Sequence, residues 1–322
     1  SDPTTPKINP STPPYILGGK EKKPNPMSVQ KNASRYWQLK NYLTWSQSFG
    51  DHAFTGMLGQ ECWESTWNYL SASNSNLPDN IVRNLSKATG DPTVGHGFGS
   101  SAMASFFTRW TYNYADRYLA TYTYRYDGSS NFGPDNRWAG FHSLAASWKF
   151  SNEAFFHSLR NVVSNGKIRV GWGQTGNANI GGGAWEATIY DSYSALGDAQ
   201  RPTNIPNTGI HWEKQEQINV GLDLGLLDNR INLTIDAYDK KSSDMLMSLD
   251  LPSYMGTKGN SSSALAAPKG NFGTIDNKGL EITLSGYPIQ RKDFEWESNF
   301  QISFNKNKLV ALDGSANAQL IG

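Results

Sequence analysis

The sequence predicts an all-β fold, an antiparallel transmembrane β-barrel, from three observations. Apolar and polar side chains alternate in ten short runs, the connections between the runs are alternately short and long, and the composition suits a β protein. The 322 residues include 31 glycines, 12% aromatic residues and only 18% charged residues, which is typical of β proteins. No apolar stretch approaches the roughly 20 residues of a membrane helix, but a barrel strand crosses a bilayer with about 9–11 residues.

Alternation identifies the individual strands. In one run Leu280, Ile282 and Leu284 fall on one face, whereas Glu281 and Thr283 fall on the other. Successive side chains of a strand point to opposite faces, so each such run has an apolar and a wet side. The predicted strands are residues 35–48, 53–64, 102–114, 117–127, 138–150, 166–175, 212–226, 230–241, 278–289 and 294–305.

Short and long connections follow one another in strict alternation. The short connections are tight polar turns at 50–51, 115–116, 227–229 and 290–293, and a longer link at 151–165 with a predicted short helix over 152–159 capped by Ser151. The long connections, rich in Ser, Asn, Gly and Pro, are 65–101, 128–137, 176–211 and 242–277. Short periplasmic turns and long extracellular loops are typical of outer-membrane barrels. The Pro-rich segment 1–34 is then an outer loop.

The composition of the two faces favours a membrane over a soluble barrel. The polar face is dominated by Asn, Gln, Ser, Thr and Gly, as in a wet lumen, whereas a soluble barrel would turn its apolar face inward. Aromatic residues near strand ends suit the girdles of a membrane interface. These residues are Trp37, Trp45, Trp110, Tyr112, Tyr114 and Trp148. From the pattern alone, a soluble all-β protein remains an alternative.

Several other functions are disfavoured by the composition and the spacing of polar residues. A net charge of +1 gives no reason to expect nucleic acid as a partner, and the single cysteine, Cys62, cannot form a disulfide within the chain. The five histidines lack metal-ligand spacing, so we expect no metal or cofactor. Residues 95–99 (GHGFG) are predicted to be a loop and no phosphate site. Acidic pairs such as Glu295 and Glu297 are common on wet strand faces, so we expect no catalytic residues.

A set of short segments, in order, resembles the SusC/RagA-type TonB-linked outer-membrane transporters. Any one of these segments is weak evidence, but the ordered set is specific. The segments are 116–119 (DRYL), 127–134 (DGSSNFGP), 137–138 (RW), 173–177 (GQTGN), 212–213 (WE), 217–223 (QINVGLD), 277–281 (NKGLE) and 299–309 (NFQISFNKNKL).

The resemblance implies a large plugged barrel that imports oligosaccharides or peptides in Bacteroidota and is no enzyme. It further implies energy from a TonB complex in the inner membrane and a SusD-like surface lipoprotein that closes over the substrate. Ten strands are too few for that barrel, so we expect residues 1–322 to be the central part of a longer protein, without its plug and C-terminal strands. The alternatives are a passive, plugless porin and a soluble carbohydrate-binding β protein.

Three tryptophans are candidates for contact with the substrate. Trp63, Trp67 and Trp185 lie at or beyond the predicted outer ends of strands, and aromatic faces stack on sugar rings. The alternative is that they belong to the interfacial girdle or pack the loops.

Overall fold

The computed structural model describes residues 7–8, 26–77, 84–194, 197–248, 254, 256 and 265–312, which form fifteen β-strands linked by turns, loops and short 3-10 helices. The strands are β1 (Lys7–Ile8), β2 (Met27–Phe49), β3 (His52–Asn74), β4 (Thr93–Tyr114), β5 (Tyr118–Ser129), β6 (Trp138–Trp148), β7 (Val163–Asn177), β8 (Ile189–Ser194), β9 (Gly197–Pro202), β10 (Glu213–Leu226), β11 (Ile231–Ser243), β12 (Leu246–Ser248), β13 (Lys269–Asn271), β14 (Thr274–Arg291) and β15 (Phe294–Ala311). The 3-10 helices are Leu85–Lys87, Pro134–Asn136, Phe150–Asn152 and Ala154–Leu159. Within the described ranges, the structure contains no helix whose length and apolar character would let it cross a membrane.

Eleven of these strands form one sheet in the order β1–β2–β3–β4–β5–β6–β7–β10–β11–β14–β15. The strand pairs β8–β9 and β12–β13 form two small antiparallel sheets of their own inside long connections. The described residues belong to two compact units, one within 1–38 and 63–102 and the other within 39–62 and 103–322. The up-and-down order agrees with the predicted antiparallel architecture.

All ten predicted strands are confirmed; they are β2 to β7, β10, β11, β14 and β15. The tight turns between them are also present. Ala115 and Asp116 both have a φ of 53°, and the amide of Arg117 donates to the carbonyl of Tyr114 at 2.9 Å. Left-handed backbone at both central residues gives a turn whose twist matches the flanking strands, so β4 leads directly into β5.

The predicted lengths of β3 and β4 were wrong. Residues 65–74 continue β3, and residues 93–101 begin β4, so most of the predicted loop 65–101 is strand. Gly95, Gly97 and Gly99 lie within β4, where the prediction placed a loop. β2 begins at Met27, inside the predicted outer loop 1–34, of which residues 1–6 and 9–25 lie outside the described residues. Residues 313–322, after the last predicted strand, also lie outside them.

The predicted helix over 152–159 also needs correction. The link contains two 3-10 helices, and the second begins at Ala154 after Glu153 at its N-cap position. Ser151 is buried inside the first 3-10 helix and is not the N-cap of the second. The second 3-10 helix has only six residues, and so short a segment has too few turns to settle into an α-helix.

A small buried core, the loop core, forms inside the second unit, where its long loops pack on the sheet. Its members come from the loop after β5, from β6, and from the long connection between β7 and β10. They are Phe132, Phe141, Ile180, Ala184, Ile210 and Trp212. Phe132 and Ile210 have no exposed surface, whereas many large apolar side chains of the sheet remain exposed.

Candidate functional site

One face of the second unit is apolar across β7, β10, β11, β14 and β15. Directly paired residues of neighbouring strands share a face, so the register shows which side chains form rows. The central row is Ile168, Leu222, Ile235, Ile282 and Ile302. The rows on either side are Val170, Val220, Ala237, Leu280 and Phe304, and Leu224, Leu233, Leu284 and Phe300. We call these three rows the apolar belt.

The apolar belt has the exposure expected of a lipid-facing surface. Val220 is 49% exposed and Phe300 is 57% exposed, so the described part of the chain does not bury them. On β4 to β6 the central row continues with aromatic residues, Tyr114, Tyr118 and Trp148. An apolar band edged by aromatic side chains is typical of a barrel exterior.

The opposite, polar face holds an ion network centred on Arg169. Its Nε donates to Asp223 Oδ2 at 2.7 Å, and its Nη2 donates to Asp223 Oδ1 at 3.0 Å and to Asp236 at 3.0–3.2 Å. The missing side chain of Gly221 gives the guanidinium its space, because a Cβ there would lie 2.6 Å from Arg169 Nη2. Arg169 thereby ties β7 to β10 and β11 across the polar face.

A second arginine organises the polar face nearer the long loops. Arg125 Nε donates to Asp127 at 2.7 Å, and its Nη2 donates to Ser105 Oγ at 2.8 Å and pairs with Glu61 at 3.5 Å. Its guanidinium also lies 5.6 Å from the centroid of the Phe107 ring. Asp127 and Ser105 are buried, so this network fixes the point where the loop after β5 departs.

The short-turn end of β4 to β6 is held by Glu153. Its carboxylate accepts hydrogen bonds from Tyr118 Oη at 2.6 Å and from Trp148 Nε1 at 3.1 Å, and it pairs with Arg117 at 3.2 Å. The hydrogen bond from Tyr118, followed by that from Trp148, lowers the pKa of Glu153 below its usual range. The carboxylate therefore stays ionised at neutral pH.

The adjoining turn carries a second charged contact. Lys149 Nζ donates to Asp116 at 3.0 Å, and this hydrogen bond lowers the pKa of Asp116. Asp116, Arg117, Lys149 and Asn152 help to line a polar cavity of about 640 Å³. Segment 116–119 thus holds the link between β6 and β7 in place, through Asp116 to Lys149 and through Arg117 and Tyr118 to Glu153.

Trp63 and Trp67 lie on one face of β3 in the first unit, with further aromatic rings beside them. The Trp63 ring lies 6.2 Å from that of Tyr36, and the Trp67 ring lies 6.2 Å from that of Tyr69 at an interplanar angle of only 5°. We call Tyr36, Trp63, Trp67 and Tyr69 the aromatic strip. Its rings give a run of nearly flat apolar surface along the strand.

Glycines of β4 support the rings of the aromatic strip. A Cβ at Gly99 would lie 2.7 Å from three atoms of the Trp67 indole, and Tyr69 covers Gly97 in the same way. One ring face therefore rests on bare backbone. Trp67 is nevertheless 50% exposed, so a large part of its surface is open to a ligand.

Trp185 has a different environment, in the second unit. It packs beside the buried loop core, and a Cβ at Gly133 would lie 3.3 Å from its ring. The structure thus groups Trp63 with Trp67 on one strand face and gives Trp185 a half-buried place among the loops. Contact of any of the three with a substrate stays a prediction.

Sequence reasoning missed Tyr36 and Tyr69 as members of the aromatic strip. For Tyr69 the signal was present, because 63, 67 and 69 differ by even numbers and must share a face of a strand. The predicted strand ends at residue 64, so Trp67 and Tyr69 fell outside it and their common face with Trp63 was not recognised. Tyr36 is brought to Trp63 by strand pairing, which a single strand does not reveal.

Glu213 and Glu216, a second pair of acidic residues close together in the sequence, have ordinary hydrogen-bond partners. Glu216 accepts a hydrogen bond from Gln174 at 2.6 Å, and Glu213 accepts one from Asn177 at 3.3 Å. Within the described ranges, no group of three His, Cys, Asp or Glu side chains is arranged to hold a metal ion.

Comparison with known proteins agrees with the two-faced sheet. The family model for the TonB-dependent receptor-like β-barrel matches residues 7–319. The chain belongs to this family. It is 39% identical over 222 residues to the TonB-dependent receptor SusC of Bacteroides thetaiotaomicron, covering 66% of this chain and 21% of SusC. It is 33% identical over 280 residues to the TonB-dependent receptor P3 of Formosa agariphila, covering 85% of this chain and 27% of P3.

Solved structures show the same fold. The RagAB peptide transporter matches with a TM-score of 0.80 and 24% identity over 91% of this chain and 32% of that one. The outer-membrane transporter YddB from Escherichia coli matches with a TM-score of 0.57 and 11% identity, over 88% and 34% of the two chains. The predicted family, the barrel fold and the outer-membrane location are confirmed. The chain spans only about a quarter of the length of its curated relatives.

Proposed function

We propose that this chain is the central barrel wall of a TonB-dependent importer of oligosaccharides or peptides. The observation that carries the proposal is the two-faced sheet, in which an exposed apolar belt backs a polar face organised by Arg125 and Arg169. Such a wall surrounds a wet passage in a membrane and needs no catalytic residue. Membership of the TonB-dependent receptor family and the likeness to SusC support import over passive diffusion.

The proposal includes partners and a longer protein. A plug and further strands would complete the barrel, a TonB complex would supply energy through the plug, and a SusD-like lipoprotein would close over the substrate. The support is the match to SusC over two thirds of this chain and to the fold of the RagAB peptide transporter.

Uptake by cells that carry the full-length protein tests the proposal. Accumulation of fluorescent oligosaccharides and peptides would be measured in the parent strain, in a deletion strain and after addition of a protonophore. We expect accumulation of one cargo class to need both the protein and an energised inner membrane. Equal accumulation with the protonophore would indicate a passive porin, and no protein-dependent uptake of either class would contradict import.

Within this function, we propose that the aromatic strip contacts the cargo. Replacing Trp67 with alanine removes a half-exposed indole and is expected to weaken binding roughly two- to tenfold, from the 0.5–1.5 kcal/mol of an aromatic contact. The measurement is calorimetric titration of the full-length protein with the imported cargo.

Trp37→Ala is the matched control. Trp37 is 42% exposed on β2, and its Nε1 donates to Glu64 on the face of β3 opposite to Trp67. It should leave the affinity for cargo unchanged. If Trp67→Ala and Trp37→Ala have the same affinity as the parent protein, the aromatic strip is not a binding surface.

A further inference from the structure

Charged side chains replace apolar ones at the loop end of the apolar belt on β11, β14 and β15. The last apolar row there is Ala237, Leu280 and Phe304. The next row on the same face is Asp239, Lys278 and Lys306, and the one after it is Lys241, Asp276 and Lys308. We call the lysines of these two rows, Lys241, Lys278, Lys306 and Lys308, the lysine patch.

The lysine patch lies on the outward face of the sheet. Each row is two residues further along its strands than the preceding one, so the side chains keep the orientation of the apolar belt. This end of the strands leads into the long connections, which lie outside the cell in an outer-membrane barrel. All four lysines of the patch are exposed. The patch therefore borders the lipid at the level of the outer headgroups.

The two rows carry a positive charge that the described residues do not balance. Four lysines and two aspartates leave a net charge of +2 over the two rows. Asp239 pairs with Lys278 at 2.7 Å, but neither Lys306 nor Lys308 forms an ion pair with another residue of the described ranges. Lys306 lies directly opposite Lys278, and like charges in that position destabilise a strand pair. A bound anion would remove this repulsion.

The positive charge does not continue onto the neighbouring strands β10 and β7. At the same two levels β7 and β10 carry Trp172, Gln174, Glu216 and Ile218, which together have a net charge of −1. A general preference for positive charge at a membrane surface would extend the lysines onto these two strands. The concentration of lysines on β11, β14 and β15 instead indicates a site for one anionic group.

We propose that the lysine patch binds the phosphate of a lipid in the outer leaflet. The apolar belt directly below the patch would contact the acyl chains of the same lipid. One lipid molecule would therefore bind to both the lysine patch and the apolar belt. Lysine ammonium groups bind phosphate as point charges and need no fixed geometry. This inference depends on the outward orientation of the face and is independent of the imported cargo.

Native mass spectrometry of the full-length detergent-solubilised protein tests the inference. The probe is diphosphorylated lipid A, compared with its dephosphorylated form and with inorganic phosphate. At roughly fivefold for each lysine near an anionic surface, Lys306→Gln together with Lys308→Gln should weaken lipid binding about 30-fold. Both side chains are exposed, so the variant should fold. Faster migration of the unboiled than of the boiled variant on a denaturing gel would verify this.

The control variant removes the same charge elsewhere. Lys31 lies on β2, and Lys240 lies on β11 next to Lys241 but points to the other face. Lys31→Gln with Lys240→Gln should bind the lipid as the parent protein does. Equal binding by both double variants, equal binding of dephosphorylated lipid, or full displacement by millimolar inorganic phosphate would each overturn the proposal.

Discussion

Replacing Ile282 with arginine is expected to destabilise the folded barrel by about 2–4 kcal/mol, the cost of an arginine facing the middle of a bilayer. Ile282 lies in the central row of the apolar belt, paired with Ile235 on one side and Ile302 on the other. These neighbours have no polar side-chain atom that could pair with the new arginine, so its guanidinium would face hydrocarbon. The measurement is urea unfolding of the full-length protein in phosphatidylcholine vesicles.

Thr283→Arg provides the control, one residue further along the same strand. Thr283 lies between Thr234 and Gln301 on the polar face, where an arginine remains in water. The expected change in unfolding free energy is within about 0.5 kcal/mol, as for other surface substitutions. A larger loss for Thr283→Arg than for Ile282→Arg would reverse the assignment of the two faces.

Alternation in the sequence was sufficient to predict the strands that carry the apolar belt. β10, β11, β14 and β15 each place apolar residues at every second position, and the register aligns those positions into rows. Their predicted limits differ from the observed ones by up to six residues, at the end of β15. Where one face contacts hydrocarbon and the other water, the pattern has a single physical cause and is easily recognised.

The same reasoning failed for the extensions of β3 and β4. Beyond residue 64 neither face of β3 must be apolar, and β4 begins with a glycine at every second position. Glycine is depleted in strands, so the pattern predicted a loop. Here Trp67 and Tyr69 cover Gly99 and Gly97, and the aromatic rings supply the packing that the glycines lack. That compensation comes from another strand and is not visible locally.

The aromatic strip and the loop core were predictable to different degrees. Trp63 and Trp67 stood out by residue type, whereas their neighbours depended on strand pairing. The ring centroid of Trp212 lies 5.3 Å from that of Phe132, although the two residues are 80 positions apart in the chain. The strand pairs β8–β9 and β12–β13 were missed because they lie in long connections rich in Ser, Asn and Gly. Contacts over such sequence distances leave no periodic signal.

The segments that resemble SusC/RagA-type transporters coincide with structural contacts. Segment 116–119 supplies two of the groups that hold Glu153, and segment 217–223 supplies Gly221 and Asp223 around Arg169. Segment 277–281 supplies Gly279, which the ring of Tyr238 covers. The resemblance therefore reports how a wall of this barrel is held together. These segments contain no information on which cargo the proposed importer takes.

Phe132→Ala is expected to loosen the loop core and leave the sheet intact. Phe132 has no exposed surface and packs on Trp212, whose Nε1 donates to the carbonyl of Arg137 at 3.0 Å. Emptying such a site costs about 3–5 kcal/mol in a well-packed core. Because the lost contacts join loops, hydrogen exchange should speed up in 178–212 and remain slow in β10 and β11.

The control is Phe155→Ala, which removes a ring that is 68% exposed and should change the exchange rate of no loop amide. Unchanged exchange in 178–212 after Phe132→Ala would show that the sheet alone orders the loops, and faster exchange throughout β10 and β11 would show that loops and sheet unfold together.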